Sequence, residues 1–386
     1  VSKHNSPPDK RAWSLLVLFL LVAFSCAGGK AQQTASLAKN SVTTTPSVVL
    51  QDASAALANL PEADTLVYIN PHRILTEAAP RVMPEKDLAS MRQGLAELKS
   101  AVGMDPSNID YVVLQVRFKK PGADLSFSLP EFLLVVKGDF DGGALIQLAR
   151  QAAKGKLRDE SYGSKAIGIM PIDEIAKEAE KTTILKSLSE VAVSLLSGDT
   201  IAVGTPSYVK AAIDAAEGKN RISPELLNSA LRDSTALISA AGSPLTAFAK
   251  TFALLGTENS PRQSKCDMKL GDYYAAITMD ATSFKLRGAM NADNPDTAKI
   301  IKSLLSMGLQ AGINSIKDSK AQSALSGLVI TPTDTEVLIQ AEVSQQAVAD
   351  FIREETRPKQ AVDVVPAPGV KPKTRRSTRR RTRPRT

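Results

Sequence analysis

The feature that most narrows the folds open to this chain is a recurring order: two strand-like runs, a turn, then a helix opened by a capping residue. It occurs four times. The first unit reads IDYVVLQVRF (109–118), a long loop containing Pro121-Gly122, EFLLVVKGDF (131–140), and a helix that Asp141 opens into GGALIQLARQAA. The second, EVAVSLLSGDTIAVGT (190–205), turns at Gly198-Asp199, and Pro206 opens SYVKAAIDAA. The third joins DYYAAITMD (272–280) to SFKLRGAMNA (283–292) through Ala281-Thr282, and Asn294-Pro295 opens DTAKIIKSLLSMGL. The fourth joins LVITP (328–332) to EVLIQAEV (336–343) across Thr333-Asp334-Thr335, and Ser344 caps QQAVADFIREE.

A hairpin with one apolar face does not persist alone in water, so each following helix is expected to lay its apolar stripe over the hairpin before it. The class is therefore α+β, with repeated strand-strand-helix units forming two antiparallel-sheet lobes covered by helices. The first lobe spans 60–242 and the second 269–356. A helix-and-loop connector, 243–268, lies between them and ends in the loop-like TENSPRQSKCDMK. Helical pieces at Leu226 to Leu231 and Leu245 to Leu255, with a strand at Ala236 to Ala240, bridge the lobes. Ahead of the first unit, TLVYI (65–69) reads as a strand, and Asn70-Pro71 supplies an N-cap with proline at the first helical position. Helical spacing then runs through Ile74, Leu88, Met91, Leu95 and Leu98 to Gly103. Pro80 and Pro84 interrupt it, giving two helical pieces.

With 386 residues the chain is long enough for a substantial core, and with aromatics at only 4% that core is aliphatic. Charge is uneven. The whole chain carries a formal +8, but residues 371–386 alone hold nine Lys or Arg and no acid, so the body is mildly acidic. A basic appendage, and not a basic groove, accounts for the overall sign.

At the amino end, Lys3, Lys10 and Arg11 precede an apolar run from Leu15 through Phe24 that exits into Ser25, Cys26, Ala27, Gly28 and Gly29. Trp13 to Ala27 is shorter than the roughly 20 residues a spanning helix needs, so 1–31 reads as an export signal. Cleavage after Ala31, leaving Gln32 first, competes with lipid attachment at Cys26, where Phe24 fits poorly. Residues 32–59, rich in Ser, Thr, Gln and Ala, read as a flexible tether. Cys26 and Cys266 are the two cysteines, so cleavage leaves no intramolecular disulfide and Cys266 is a lone thiol beside Asp267.

Candidate chemistries are few. His72 is the one histidine left after the signal, which removes Ser-His-Asp and Cys-His mechanisms and any zinc site with two imidazoles. Ser207-Tyr208-Val209-Lys210 has the S-x-x-K spacing of a Ser-Lys nucleophile at a helix start, without companion K-T-G or S-D-N motifs. Gly138 to Gly143 joins a strand to a helix as a phosphate loop does, but Asp139 and Asp141 oppose an anion, and the further acids of a calcium loop are missing. Asp141 and Asn294 read as helix caps. No catalytic, cofactor-binding or metal-ligating residue is assigned.

The Pro- and Arg-rich tail, 357–386, does not fold on its own. Arg375, Arg376, Arg379, Arg380, Arg381, Arg383 and Arg385 can neutralise phosphate or carboxylate groups. With no interleaved aromatic they cannot stack on bases, so the expected partner is an anionic envelope surface or polysaccharide, with no sequence-specific nucleic-acid reading.

ADTLVYINPHRIL (63–75), GDFDGGALIQLA, SGDTIAVGTPSYVKAAIDAA and GDYYAAITMDATSFKLRGAMNADNPDTAKII resemble a family of exported bacterial proteins of acidobacterial type, over roughly 60–355. The resemblance implies an exported α+β protein and brings no reaction, ligand or catalytic residue. The Arg-rich tail departs from the family pattern. The expectation is an exported, non-enzymatic cell-envelope protein with a binding or structural role. The alternative is an envelope hydrolase using carboxylates or the Ser207–Lys210 pair.

Overall fold

Thr65–Ile69, alternately apolar and flanked by turn residues, forms strand β1, and everything else is built outward from it. The structure, a computed structural model, describes residues 54–102, 105–118, 130–153, 155–171, 189–243, 270–315 and 327–355. The signal segment, most of the tether, Cys26, Cys266, the 245–255 helical piece and the Arg-rich tail lie outside the described residues.

On one side β1 pairs antiparallel with β2 (Ile109–Arg117), and on the other with β8 (Ile238–Gly242). From β2 the sheet continues to β3 (Glu131–Gly138), β7 (Thr200–Gly204), β6 (Glu190–Ser197), β5 (Lys165–Pro171) and β4 (Arg158–Tyr162). From β8 it continues to β9 (Leu270–Met279), β10 (Ser283–Ala292), β12 (Glu336–Ser344) and β11 (Val329–Pro332). All neighbours are antiparallel. The expectation of a sheet for each lobe gives way to one 12-stranded sheet, because β8 and β9, which flank the expected boundary at 242–269, are hydrogen-bonded to each other.

The chain runs the same path on both sides. The β2–β3 hairpin is followed by helix α2 (Gly142–Ala152), which carries the chain to the outer edge, and β4 to β7 return inward until β7 meets β3. The β9–β10 hairpin is followed by α5 (Pro295–Ser315), which carries the chain to β11, and β12 returns to meet β10. The first side has an added hairpin, β4–β5, absent from the sequence expectation. Its signal was the two-residue turn Gly163-Ser164, with Gly163 at φ 57°.

Side chains along β2 explain why helices occupy both faces. Ile109, Tyr111, Val113 and Gln115 are buried on one face, while Val112, Leu114 and Val116 are half-buried on the other. On the first face α3 (Pro206–Ala216) and α4 (Pro224–Ala230) set Tyr208, Val209, Ile213 and Leu227 on Leu66, Val113, Leu133 and Ile167. Leu57, in the stretch composition assigned to the tether, is fully buried in this cluster, so packing begins before residue 60. On the opposite face α2 brings Leu145, Ile146 and Ala149 to Val193 and Ile201. Ile74 and Ala78 cover Val67 and Ile238, and α5 sets Ala298 and Ile301 on Ala292 and Val337.

The expected caps are in place. Asn70 accepts from the Arg73 N–H at 3.0 Å, Asp141 from the N–H groups of Gly143 and Ala144, Asn294 from Thr297, and the Ser344 hydroxyl from Ala347. Both sheet edges are blunted: β4 shows Arg158 and Asp159 to solvent, and β11 is four residues ending in Pro332. Among the described residues no helix is long and apolar enough to cross a membrane.

Candidate functional site

A concave feature arises where the chain leaves β1. Pro71–Arg73, Ile74–Ala78 and Ala79–Val82 form one helical run, the middle segment opened to a π-type turn. Pro80 has no N–H for the Thr76 carbonyl, and widening the preceding turn accommodates that loss. Pro84 then ends the run. Met83 ahead of it is extended (φ −87°, ψ 138°), as a residue before proline must be, and α1 (Glu85–Val102) starts in a new direction.

Between the two helical segments lies a groove of about 280 Å³. Its floor is Leu75 and Pro80 from the first run, with Leu88, Met91 and Leu95 from α1. The α1 residues are spaced i, i+3, i+7, which puts them on one helix face, and Arg92, Ala96 and Lys99 fall on the same side. Leu88 is buried; Met91 and Leu95 are half-buried, so the apolar wall is not closed over by protein.

One end of the groove is charged. Lys99 Nζ donates to Asp105 Oδ2 at 2.8 Å, and Asp105 Oδ1 caps the turn Pro106–Asn108 by accepting from the Ser107 N–H at 3.0 Å and from its hydroxyl. The Lys99 ammonium and, next, the two Ser107 donors hold the Asp105 carboxyl down at about 2. The same bond raises Lys99. His72 Nδ1 donates to the Ser107 carbonyl at 2.9 Å, tying the first run to this end. His72 is exposed and serves as a brace. Arg92 reaches Glu85 at 3.3 Å with both side chains largely in water.

The S-x-x-K residues do not form a pair. The Ser207 hydroxyl donates to Glu131 Oε1, whose other oxygen accepts from Arg117 Nη2 at 2.6 Å and Nε at 2.9 Å. Lys210 instead donates to Glu160 on the edge strand β4 and lies 5.5 Å from the Tyr162 ring centre. A nucleophile whose hydroxyl is held by one carboxylate, with its lysine held by another, is not activated by that lysine. Glu131 is 3% exposed, and Arg117 also covers the Tyr208 ring at 4.4 Å, so this group is a buried polar anchor between β2, β3 and α3.

The 138–143 loop also resolves locally. Asp141 occupies the helix N-terminus that a phosphate would use, and a Cβ on Gly142 would come within 2.5 Å of the Leu195 side chain, so Gly142 serves packing. Among the described residues no group of three or more His, Cys, Asp or Glu side chains is gathered for a metal ion. The groove itself escaped sequence reading: its residues were recognised as helical spacing, but Leu75 and Leu95 give no sign of leaving space between them.

No family model matches this chain, and no curated protein matches it. Among solved structures, crystal forms III and I of TP0453 are each 12% identical with a TM-score of 0.39. They cover 77% of this chain and 97% and 96% of theirs. Crystal form IV of TP0453 is 11% identical with a TM-score of 0.37, over 78% of this chain and 98% of that one. At these values the likeness carries neither fold nor function to this chain.

Proposed function

We propose that this chain is an exported, non-enzymatic protein of the cell envelope with a binding role. The observation that carries the binding part is the groove beside α1, an open apolar surface with a charged end on an otherwise well-covered sheet face. Export rests on the charged, apolar and small-residue order of 1–31. The basic tail, with Arg375, Arg376, Arg379, Arg380, Arg381, Arg383 and Arg385, adds a contact to anionic lipid or polysaccharide by counterion release. The rival hydrolase reading loses its nucleophile, because Ser207 and Lys210 are engaged by Glu131 and Glu160 respectively.

Amino-terminal sequencing and intact mass of protein from fractionated cells test the export part. The expected chain starts at Gln32, or at a lipidated Cys26, in the envelope fraction; a chain starting at Val1 in the cytoplasmic fraction overturns it. Retention on an immobilised sulfated polysaccharide tests the tail. Replacing the seven arginines by glutamine is expected to abolish retention at about 0.15 M salt.

A further inference from the structure

We infer that the groove between the 71–82 run and α1 binds a single-chain anionic amphiphile, a carboxylate on one short alkyl chain. This deepens the binding role proposed above and names the ligand class.

The argument starts from shape. About 280 Å³ is at the lower limit for ligand clefts, which suits one chain and not a fused-ring cofactor. The apolar floor is long and narrow: Leu88, Met91 and Leu95 lie along one face of α1, and from Leu88 to Lys99 the helix rises roughly 16 Å. Leu75 and Pro80 form the facing wall. No polar side chain interrupts the floor between Leu88 and Leu95 except Arg92, whose guanidinium extends away to Glu85.

Charge then fixes the direction and the head group. Arg92 and Lys99, two turns apart on α1, lie on either side of Leu95, so a chain seated on Leu88 and Met91 brings its head between them. Lys99 has three donor hydrogens and spends one on Asp105, and Arg92 meets Glu85 in water, where such a bond is weak and exchangeable. A carboxylate can therefore be taken up without breaking a buried pair. A cationic amphiphile would face both positive charges, and a neutral one would gain the floor alone.

Isothermal titration of the full chain with decanoate and with decanol tests this. Decanoate is expected to bind saturably at one site, at least fivefold more tightly than decanol. Lys99→Gln should remove most of that difference and leave decanol unchanged. Leu95→Glu should weaken decanoate at least tenfold. Because Leu95 is half-buried, a second variant guards against a folding defect: Ala96 is exposed on the rim, and Ala96→Trp should obstruct the groove with unchanged circular dichroism. Absence of saturable decanoate binding overturns the inference, as does undiminished binding by both Leu95→Glu and Ala96→Trp. Equal affinity for decanoate and decanol overturns the anionic head. None of these results bears on the amino-terminal sequencing, so export can stand while the ligand class falls.

Discussion

Asp199 occupies the second position of the β6–β7 turn, and its carboxylate gathers Lys137 from the neighbouring strand β3 together with the hydroxyls of Ser197 and Thr200. The Lys137 ammonium is the main reason its carboxyl is held well below the usual range, the Ser197 hydroxyl the next; partial burial acts the other way. Asp280, in the β9–β10 turn, is lowered in the same manner by Lys285 and the N–H groups of Thr282 and Ser283. For carboxyls depressed in the folded state the sign is fixed. Their stabilisation is complete above the unfolded value near 4 and is lost as pH falls toward the folded value. Thermal denaturation should therefore show a midpoint that is flat from about pH 7 to 5 and falls between about pH 4 and 2. Asp199→Asn should lower the midpoint at pH 7 and make the acid-side fall shallower. An unchanged slope in that variant would mean that the Lys137 contact does not persist in solution. Sequence made Asp199 legible as a turn residue, since Gly-Asp between two strands signals a hairpin; the lysine came from a strand more than 60 residues away.

At the scale of elements, the caps and turns were readable because their chemistry is local: Asn70, Asp141, Asn294 and Ser344 each bond within three residues. Pro206 opened α3 as expected, but Thr205 before it makes no side-chain cap bond. Strand partners were another matter. Gly204 shows why: a Cβ there would sit 2.2 Å from the Phe132 carbonyl oxygen, so the close passage of β7 against β3 depends on a missing side chain, and nothing near Gly204 in sequence announces β3. Gly204→Ala should push these strands apart and cost about 2–3 kcal/mol in chemical denaturation. Full stability in that variant would show that the β3–β7 ladder is looser than described. The β4–β5 hairpin was missed for a related reason. Arg158-Asp159-Glu160-Ser161-Tyr162 is polar enough to read as loop, and it is a strand because an edge position lets its charges face water.

Over the whole molecule, β1 is the shared middle of the sheet, with six strands on the β2 side and five on the β8 side. Leu66, fully buried in the main cluster, pairs with Gln115 on one side and Ala241 on the other. Leu66→Ala should cost about 2–5 kcal/mol and, in native-state hydrogen exchange, reduce protection in β2–β3 and β8–β9 together. Loss on one side only would restore the picture of two independent lobes. The amino-acid order by itself determined the α+β class, the strand-strand-helix succession and the helix starts, because alternation, capping and proline act within a few residues. Only the tertiary structure decided that β8 and β9 join the two halves in one sheet, that Leu57 belongs to the core, that Ser207 and Lys210 turn to different carboxylates, and that a groove remains beside α1. Each of these depends on contacts between segments distant in sequence, where burial and hydrogen-bond satisfaction choose among partners that local pattern leaves equivalent.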